Sequence, residues 1–256
     1  MSTGIAMIRA DLLKLYRRRA LMAWSAVLFA GAQLVFYGLE AVRHISDPAR
    51  NPPAGGARGL ADAMMLLSYL GGVAAVMIGT AAGGGDGAAG VLRDLFSSGR
   101  SRLELFSVRV PAALLVGLAF TLLAFAIAAG GAVALAGPGG APAADVLVMS
   151  GVAVAASLTV TTVLAVGLSS LLSSRSIAVG LLLCWNLAVS RVLEHATSFG
   201  WLRELLPNAA SDRLVPISVG GGYTVAMSVA TAVAVLVGWA ALAFAAGAWR
   251  TIHRDA

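Results

Sequence analysis

Seven ionisable side chains fall between Gly83 and Arg109: Asp86, Arg93, Asp94, Arg100, Arg102, Glu104 and Arg109. Leu92, Leu95 and Phe96 are interleaved with them. Charges that orient a partner beside apolar groups that exclude water are what a protein-docking surface needs. The punctuation supports this. Ser98-Gly99 ends a helix, Gly being the usual residue past a helix C-terminus. Ser101 with Glu104 three residues on forms a capping box that opens another helix before Leu105-Phe106. The stretch therefore reads as two short helices hinged at Gly99, with Arg100 and Arg102 at the bend.

Other chemistries lack their residues. No GxxxxGK[ST] phosphate loop occurs, so ATP is neither bound nor hydrolysed by this chain. His44, His195 and His253 show no zinc spacing such as HExxH. Cys184 is the sole cysteine, which excludes an internal disulfide framework and a cysteine metal cluster. Intramembrane serine proteolysis wants GxSG and an embedded His, and Gly167-Leu168-Ser169-Ser170 lacks the second Gly. Asp86-Gly87-Ala88-Ala89 is similar to the start of the phospholipid head-group transferase motif, DGxxAR then GxxxDxxxD. Gly90 stands where that motif needs Ala, and Ser98 where it needs its last carboxylate. Without clustered carboxylates, a metal-bound nucleotide has no holder.

The elements that must position this loop are membrane helices. The 256 residues are 59% hydrophobic and 12% charged, with mean hydropathy +0.88, which excludes a water-soluble globule. About 20 apolar residues cross a bilayer as helix. Six stretches qualify as spans: 20–39, 63–82, 110–135, 146–172, 177–190 and 223–249. The fifth is short because Arg191 closes it, and no ionisable residue falls mid-span. No internal repeat relates the two halves, against an inverted-repeat transporter. The fold class is all-α and polytopic, a single transmembrane domain over 1–256.

Charge sets the orientation. Twelve of the 18 Lys and Arg fall on one side: five in 1–19, four in 83–109, Arg175, Arg250 and Arg254. The other side has the remaining six. Cationic loops stay in the cytoplasm, so both termini face inward. No small-residue cleavage site follows a short apolar region, so the first span is a retained anchor. The +6 net charge is spread over short loops and forms no nucleic-acid patch.

Two further segments carry a pattern. In 1–19, Ile5, Ile8, Leu12, Leu15 and Tyr16 form one helical stripe, with Asp11, Lys14, Arg17 and Arg18 opposite. That is an amphipathic elbow lying in the interface against anionic headgroups. In the outer segment 191–222, Trp201, Leu202, Leu205 and Leu206 group on one helical side until Pro207, as in an interfacial or re-entrant helix. Gly79, Gly83 and Gly87 make small-xxx-small steps, a spacing also common by chance in a chain with 30 Gly.

Layout and loop together resemble the membrane subunit of type-2 ABC exporters, bacterial permeases with six spans per chain. Asp86 takes the family's acidic place, Gly90-Val91-Leu92-Arg93 its Gly-led run, Arg100-Ser101-Arg102 its turn and Arg109 its Lys. The turn lacks the family's Pro, and Val91 replaces its Thr. The resemblance implies a permease without catalytic residues of its own, in the bacterial cytoplasmic (inner) membrane. It pairs as a homodimer or with a similar permease, and binds two copies of a cytoplasmic ATPase that hold ATP and Mg. Asp86, Arg93, Asp94, Arg100, Ser101 and Arg102, with Leu92, Leu95 and Phe96, would be the coupling surface. Residues 194–214 would close the outer exit. A lipid, a hydrophobic drug or antibiotic, or an amphipathic peptide would suit the apolar spans equally. The alternative from another class is a scaffold or sensor that recruits a cytoplasmic partner and moves nothing; a membrane-embedded transferase comes third.

Overall fold

The computed structural model describes residues 3–88, 101–172, 174–216 and 225–253, and among them there are helices and no strands. Six helices are long and apolar enough to cross a membrane. They are α2 (Arg19–Ser46), α3 (Gly56–Gly84), α4 (Arg102–Ala134), α5 (Ala144–Leu171), α6 (Arg175–His195) and α8 (Val229–His253). Helix α1 (Thr3–Tyr16) precedes them, and α7 (Pro207–Leu214) lies between α6 and α8. A helix satisfies its own backbone, so these apolar runs can leave water without orphaned N–H and C=O groups. Leu122, Val152, Val237 and Leu242 all point outward, each more than 60% exposed. Such a surface suits hydrocarbon and not water. The chain is a multi-pass membrane protein.

Helix α3 is the axis of the bundle. In its most apolar stretch 61% of the residues are buried, against 11% in α6 and α8. Leu60, Met64, Leu67, Ala74 and Ile78 of α3 are closed off by α2, α4 and α5. Phe29 of α2 stacks on Phe120 of α4 with centroids 5.9 Å apart. Tyr37 Oη donates to Ala128 O at 2.8 Å, and its ring lies where a Cβ on Gly131 would be, 2.7 Å from Cδ2. A buried phenol needs such a partner.

Several boundaries differ from the sequence expectation, each for a physical reason. Helix α2 runs to Ser46, past the polar residues from Glu40 onward, because the Arg43–Glu40 ion pair at 2.6 Å keeps them helical. Helix α6 does not stop before Arg191: it continues to His195, 21 residues in all, because that cation is paired (below). Helix α8 begins at Val229, not 223, and residues 226–228 ahead of it are outside any helix. The second short helix expected in the loop, from Arg102, is the first part of α4, continuous with the third span.

Three helices contain a π-helical turn: Val27–Gly31 in α2, Leu67–Gly71 in α3 and Trp185–Val189 in α6. Such turns shift the side-chain register and are concentrated at functional sites. Two of the three lie beside the cavity described next.

Candidate functional site

The ends of the cationic loop are held together. Arg109, at the start of the apolar part of α4, is 5% exposed, and its Nη1 donates to Gly83 O of α3 at 3.0 Å. Ser170 Oγ of α5 donates to the same carbonyl at 3.3 Å. A guanidinium so deep is tolerated because it donates to a backbone carbonyl. Farther out, Arg102 Nη1 donates to Ile252 O of α8 at 3.0 Å. Ser101 N-caps α4, its Oγ accepting from the Glu104 amide at 3.1 Å. The loop therefore leaves and re-enters the bundle through a stem bonded to α3, α4, α5 and α8.

Of the coupling surface, Leu92, Arg93, Asp94, Leu95, Phe96 and Arg100 lie outside the described residues. Asp86 is in the last turns of the helix that continues α3 to Ala88. Ser101 and Arg102 are at the stem.

Helix α1 packs against α4 and α3 at this same end. Leu15 is buried at 3% exposure, and Ile8 and Leu12 are half-buried beside it. Ile5 and Tyr16 are exposed, so the stripe is split: one edge seals the bundle and the other faces outward. Lys14 pairs with Asp11 at 2.9 Å, and Arg17 is exposed and Arg18 half-buried.

At the opposite end the outer segment is not one helix. Thr197–Leu205 is a tight 3-10 stretch broken at Gly200, whose φ of 49° is a left-handed backbone that glycine adopts without strain. Trp201, Leu202 and Leu205 are exposed, whereas Leu206 is buried beside Ala209 and Val225. Leu206 departs from the other three because its extended backbone ends the helical stretch at Leu205. Pro207 then starts α7 at a first-turn position that needs no N–H. Ala210 of α7 packs on Val160, near the middle of α5, and on Leu236, about a third of the way along α8. The connection thus turns back into the bundle. Trp239 Nε1 of α8 secures it by donating to Leu205 O at 2.8 Å.

Sequence reading missed the ionic cluster that this return creates. Arg191 Nη1 donates to Glu194 Oε2 at 3.0 Å and also to Asp212 Oδ2 of α7. Its guanidinium lies over the Tyr69 ring, 5.1 Å from the centroid. Glu194 is completely buried, and its Oε1 accepts from Ser190 Oγ at 2.9 Å. Arg203 Nη1 donates to the Glu194 backbone carbonyl at 3.1 Å. The available signal was the i,i+3 spacing of Arg191 and Glu194 on a helix, a pairing distance; Asp212 had none.

Beside the cluster lies a cavity of ≈ 40 Å³, lined by Ser68, Ser157, Thr161, Asn186, Asn208 and Ser211 among others. A larger apolar groove of ≈ 450 Å³ runs between α6 and α8 over α5, walled by Leu168, Leu181, Leu242 and Ala246. Leu164, Leu182, Trp185 and Pro207 line both. The glycine steps have a different outcome. A Cβ on Gly79 would lie 2.5 Å from Ala165 Cβ, and one on Gly83 would meet Ser169 Oγ and Val166 O, so α3 and α5 are in backbone contact. Among the described residues no group of three or more His, Cys, Asp or Glu side chains could hold a metal ion. The chain matches no family model and no curated protein, so its own geometry carries the functional argument.

Proposed function

We propose that this chain is the permease subunit of an ATP-driven exporter of the type-2 ABC kind, with its coupling surface on the loop between α3 and α4. In this reading two copies, or one copy and a similar permease, form the pathway. Two separate cytoplasmic ATPase subunits bind ATP and Mg, and this chain catalyses nothing. The cationic end with both termini faces the cytoplasm of a bacterial cell, in its cytoplasmic membrane.

The observation that carries the reading is the stem. A lever must be stiff where it joins what it moves. The Arg109–Gly83 bond at 3.0 Å and the Arg102–Ile252 bond at 3.0 Å join the loop's ends to α3, α4 and α8 together. A push on the loop is thereby shared among several spans. Helix α1 lies against the same end and would follow the motion. The return of α7 into the bundle, with Leu206 and Pro207 buried, supplies a closure at the far end.

The test is co-purification followed by transport in vesicles. The chain should hold an ATPase subunit in a stable or nucleotide-dependent complex. Arg93→Glu or Arg102→Glu should uncouple ATP hydrolysis from transport while membrane insertion is unchanged. Absence of any ATPase partner, or full transport in both variants, refutes the reading. A partner that binds without any vesicle transport points instead to a recruiting scaffold.

A further inference from the structure

The groove and the polar cavity share Leu164, Leu182, Trp185 and Pro207, so they are two compartments of one recess. The geometry points to a binding site, within a single copy of this chain, for an amphiphile with one alkyl chain and a small uncharged hydrogen-bonding head such as a glycerol or primary amide.

Each part of that ligand follows from a compartment. The groove, ≈ 450 Å³ and walled by Leu, Ala and Trp side chains, is within the ~300–1,000 Å³ usual for small-molecule sites. Leu181 and Leu242 on its two rims are exposed, so it opens sideways, toward hydrocarbon in a bilayer. An alkyl chain enters it without crossing water. Helices α6 and α8 both rest on α5, and the space between them is what forms the groove.

The head compartment is small and charge-balanced. At ≈ 40 Å³ it has room for about three water-sized groups, given roughly 10–15 Å³ each. A phosphocholine head is too large. Arg191 and Asp212 are the charged groups in its lining and are bonded to each other, while Glu194, outside the lining, accepts from the same guanidinium. The lining thus carries one charge of each sign, and neither is left over for a phosphate, a carboxylate or an ammonium group. Besides the apolar Val76, Val160, Leu164, Leu182, Trp185 and Pro207, hydroxyls and amides face the space. Ser68, Ser157, Thr161 and Ser211 supply hydroxyls, and Asn208, whose Nδ2 donates to Asn186 Oδ1 at 3.1 Å, supplies amide groups. Donors and acceptors are mixed, which favours a head that is both. The π-helical turns of α3 and α6 place Ser68 and Asn186 on this lining.

This inference does not need the ATPase reading, because a single chain suffices for binding. The test uses the purified chain in detergent, with Trp185 and Trp239 in the groove as reporters. A monoacylglycerol with a dibrominated C18 chain is the probe. Saturable fluorescence quenching is expected, largely lost in Trp185→Phe/Trp239→Phe. Unbrominated monoacylglycerol should displace the probe at least tenfold better than the fatty acid or lysophosphatidylcholine of equal chain length. Cys184→Phe, at an exposed groove position, should weaken binding at least tenfold without altering the melting temperature. Quenching that never saturates means the groove holds bulk amphiphile only and overturns the site. Equal competition by charged heads overturns the head assignment. Cross-linking that places a second copy over Cys184 overturns the ligand in favour of an interface. None of these failures bears on whether an ATPase binds the loop.

Discussion

Between α3 and α5 the backbones touch, while between α6 and α8 they stand apart, although all four helices are apolar and long enough to cross a membrane. Side-chain size separates the two cases. Gly79 and Gly83 face Ala165, Val166 and Ser169, and Gly167 of α5 faces Ala243 of α8, where a Cβ would meet the Ala243 backbone. Gly247 adds a further close approach, 2.8 Å from Phe106 Cζ for a hypothetical Cβ. In hydrocarbon no hydrophobic force pushes helices together, so close contact of small residues is what holds them. On α6 the residues toward α8 are Leu181, Leu182 and Trp185, and the groove lies between them and Leu242 and Ala246 of α8. One region is a rigid base next to the loop stem. The other is a recess sealed by a charged lock, and it is the region able to admit something.

The lock gives the largest expected effect. Arg191→Leu leaves Glu194, with no solvent exposure, as an uncompensated buried charge. Breaking such a pair costs about 3–5 kcal/mol. The melting temperature of the detergent-solubilised protein should fall sharply, and α7 should become a site of proteolytic cleavage. Arg191→Leu combined with Glu194→Leu and Asp212→Asn should recover most of the loss, since no charge remains unpaired. If the single variant melts like wild type, the lock is not what holds α7 in place.

The glycine contacts come next. Gly167→Val forces α5 and α8 apart against backbone atoms that have no rotamer to change, and overpacking of this kind costs about 1–3 kcal/mol. The readout is the yield of monodisperse protein on size exclusion, expected to fall severalfold, together with a lower melting temperature. Gly83→Val should do the same to α3 and α5. Tolerance of both would mean that the base is as loose as the recess.

The contrast also explains what was legible beforehand. Apolar runs of about 20 residues announce a span whatever surrounds them, so the six crossings could be read from composition. Their ends could not. Glu40–Arg43 and Arg191–Glu194 extend helices through polar residues by pairing, and the second pair depends on Asp212, 21 residues along the chain. Small-xxx-small spacing was visible at Gly79 and Gly83, but 30 glycines make it unspecific. Only the neighbour across the contact separates a packed glycine from an idle one. The stem was half legible. Ser101 and Glu104 displayed their cap, while the Arg109–Gly83 bond closes a distance in sequence that no local pattern encodes. In the outer grouping Trp201, Leu202 and Leu205 are all exposed, while Leu206 turns inward because its backbone is extended, which a helical pattern does not encode.

The smallest effect is the most discriminating. Gly180 of α6 and Gly238 of α8 have nothing within 4 Å of a hypothetical Cβ, and both are inside helices. Alanine is favoured over glycine in a helix by about 1 kcal/mol, through the backbone entropy glycine loses. For the isolated chain, then, Gly180→Ala and Gly238→Ala should each leave the melting temperature unchanged or raise it slightly. The proposed pairing of two copies turns this into a sharper measurement. A glycine idle within one chain is free to be a contact between two, since small residues are what let helices of separate chains approach. If Gly238→Ala raises monomer stability yet weakens self-association in lipid, measured by energy transfer between labelled copies, α8 is part of the dimer contact. If neither quantity falls, the pairing surface lies elsewhere, and the open side of the bundle belongs to lipid and ligand.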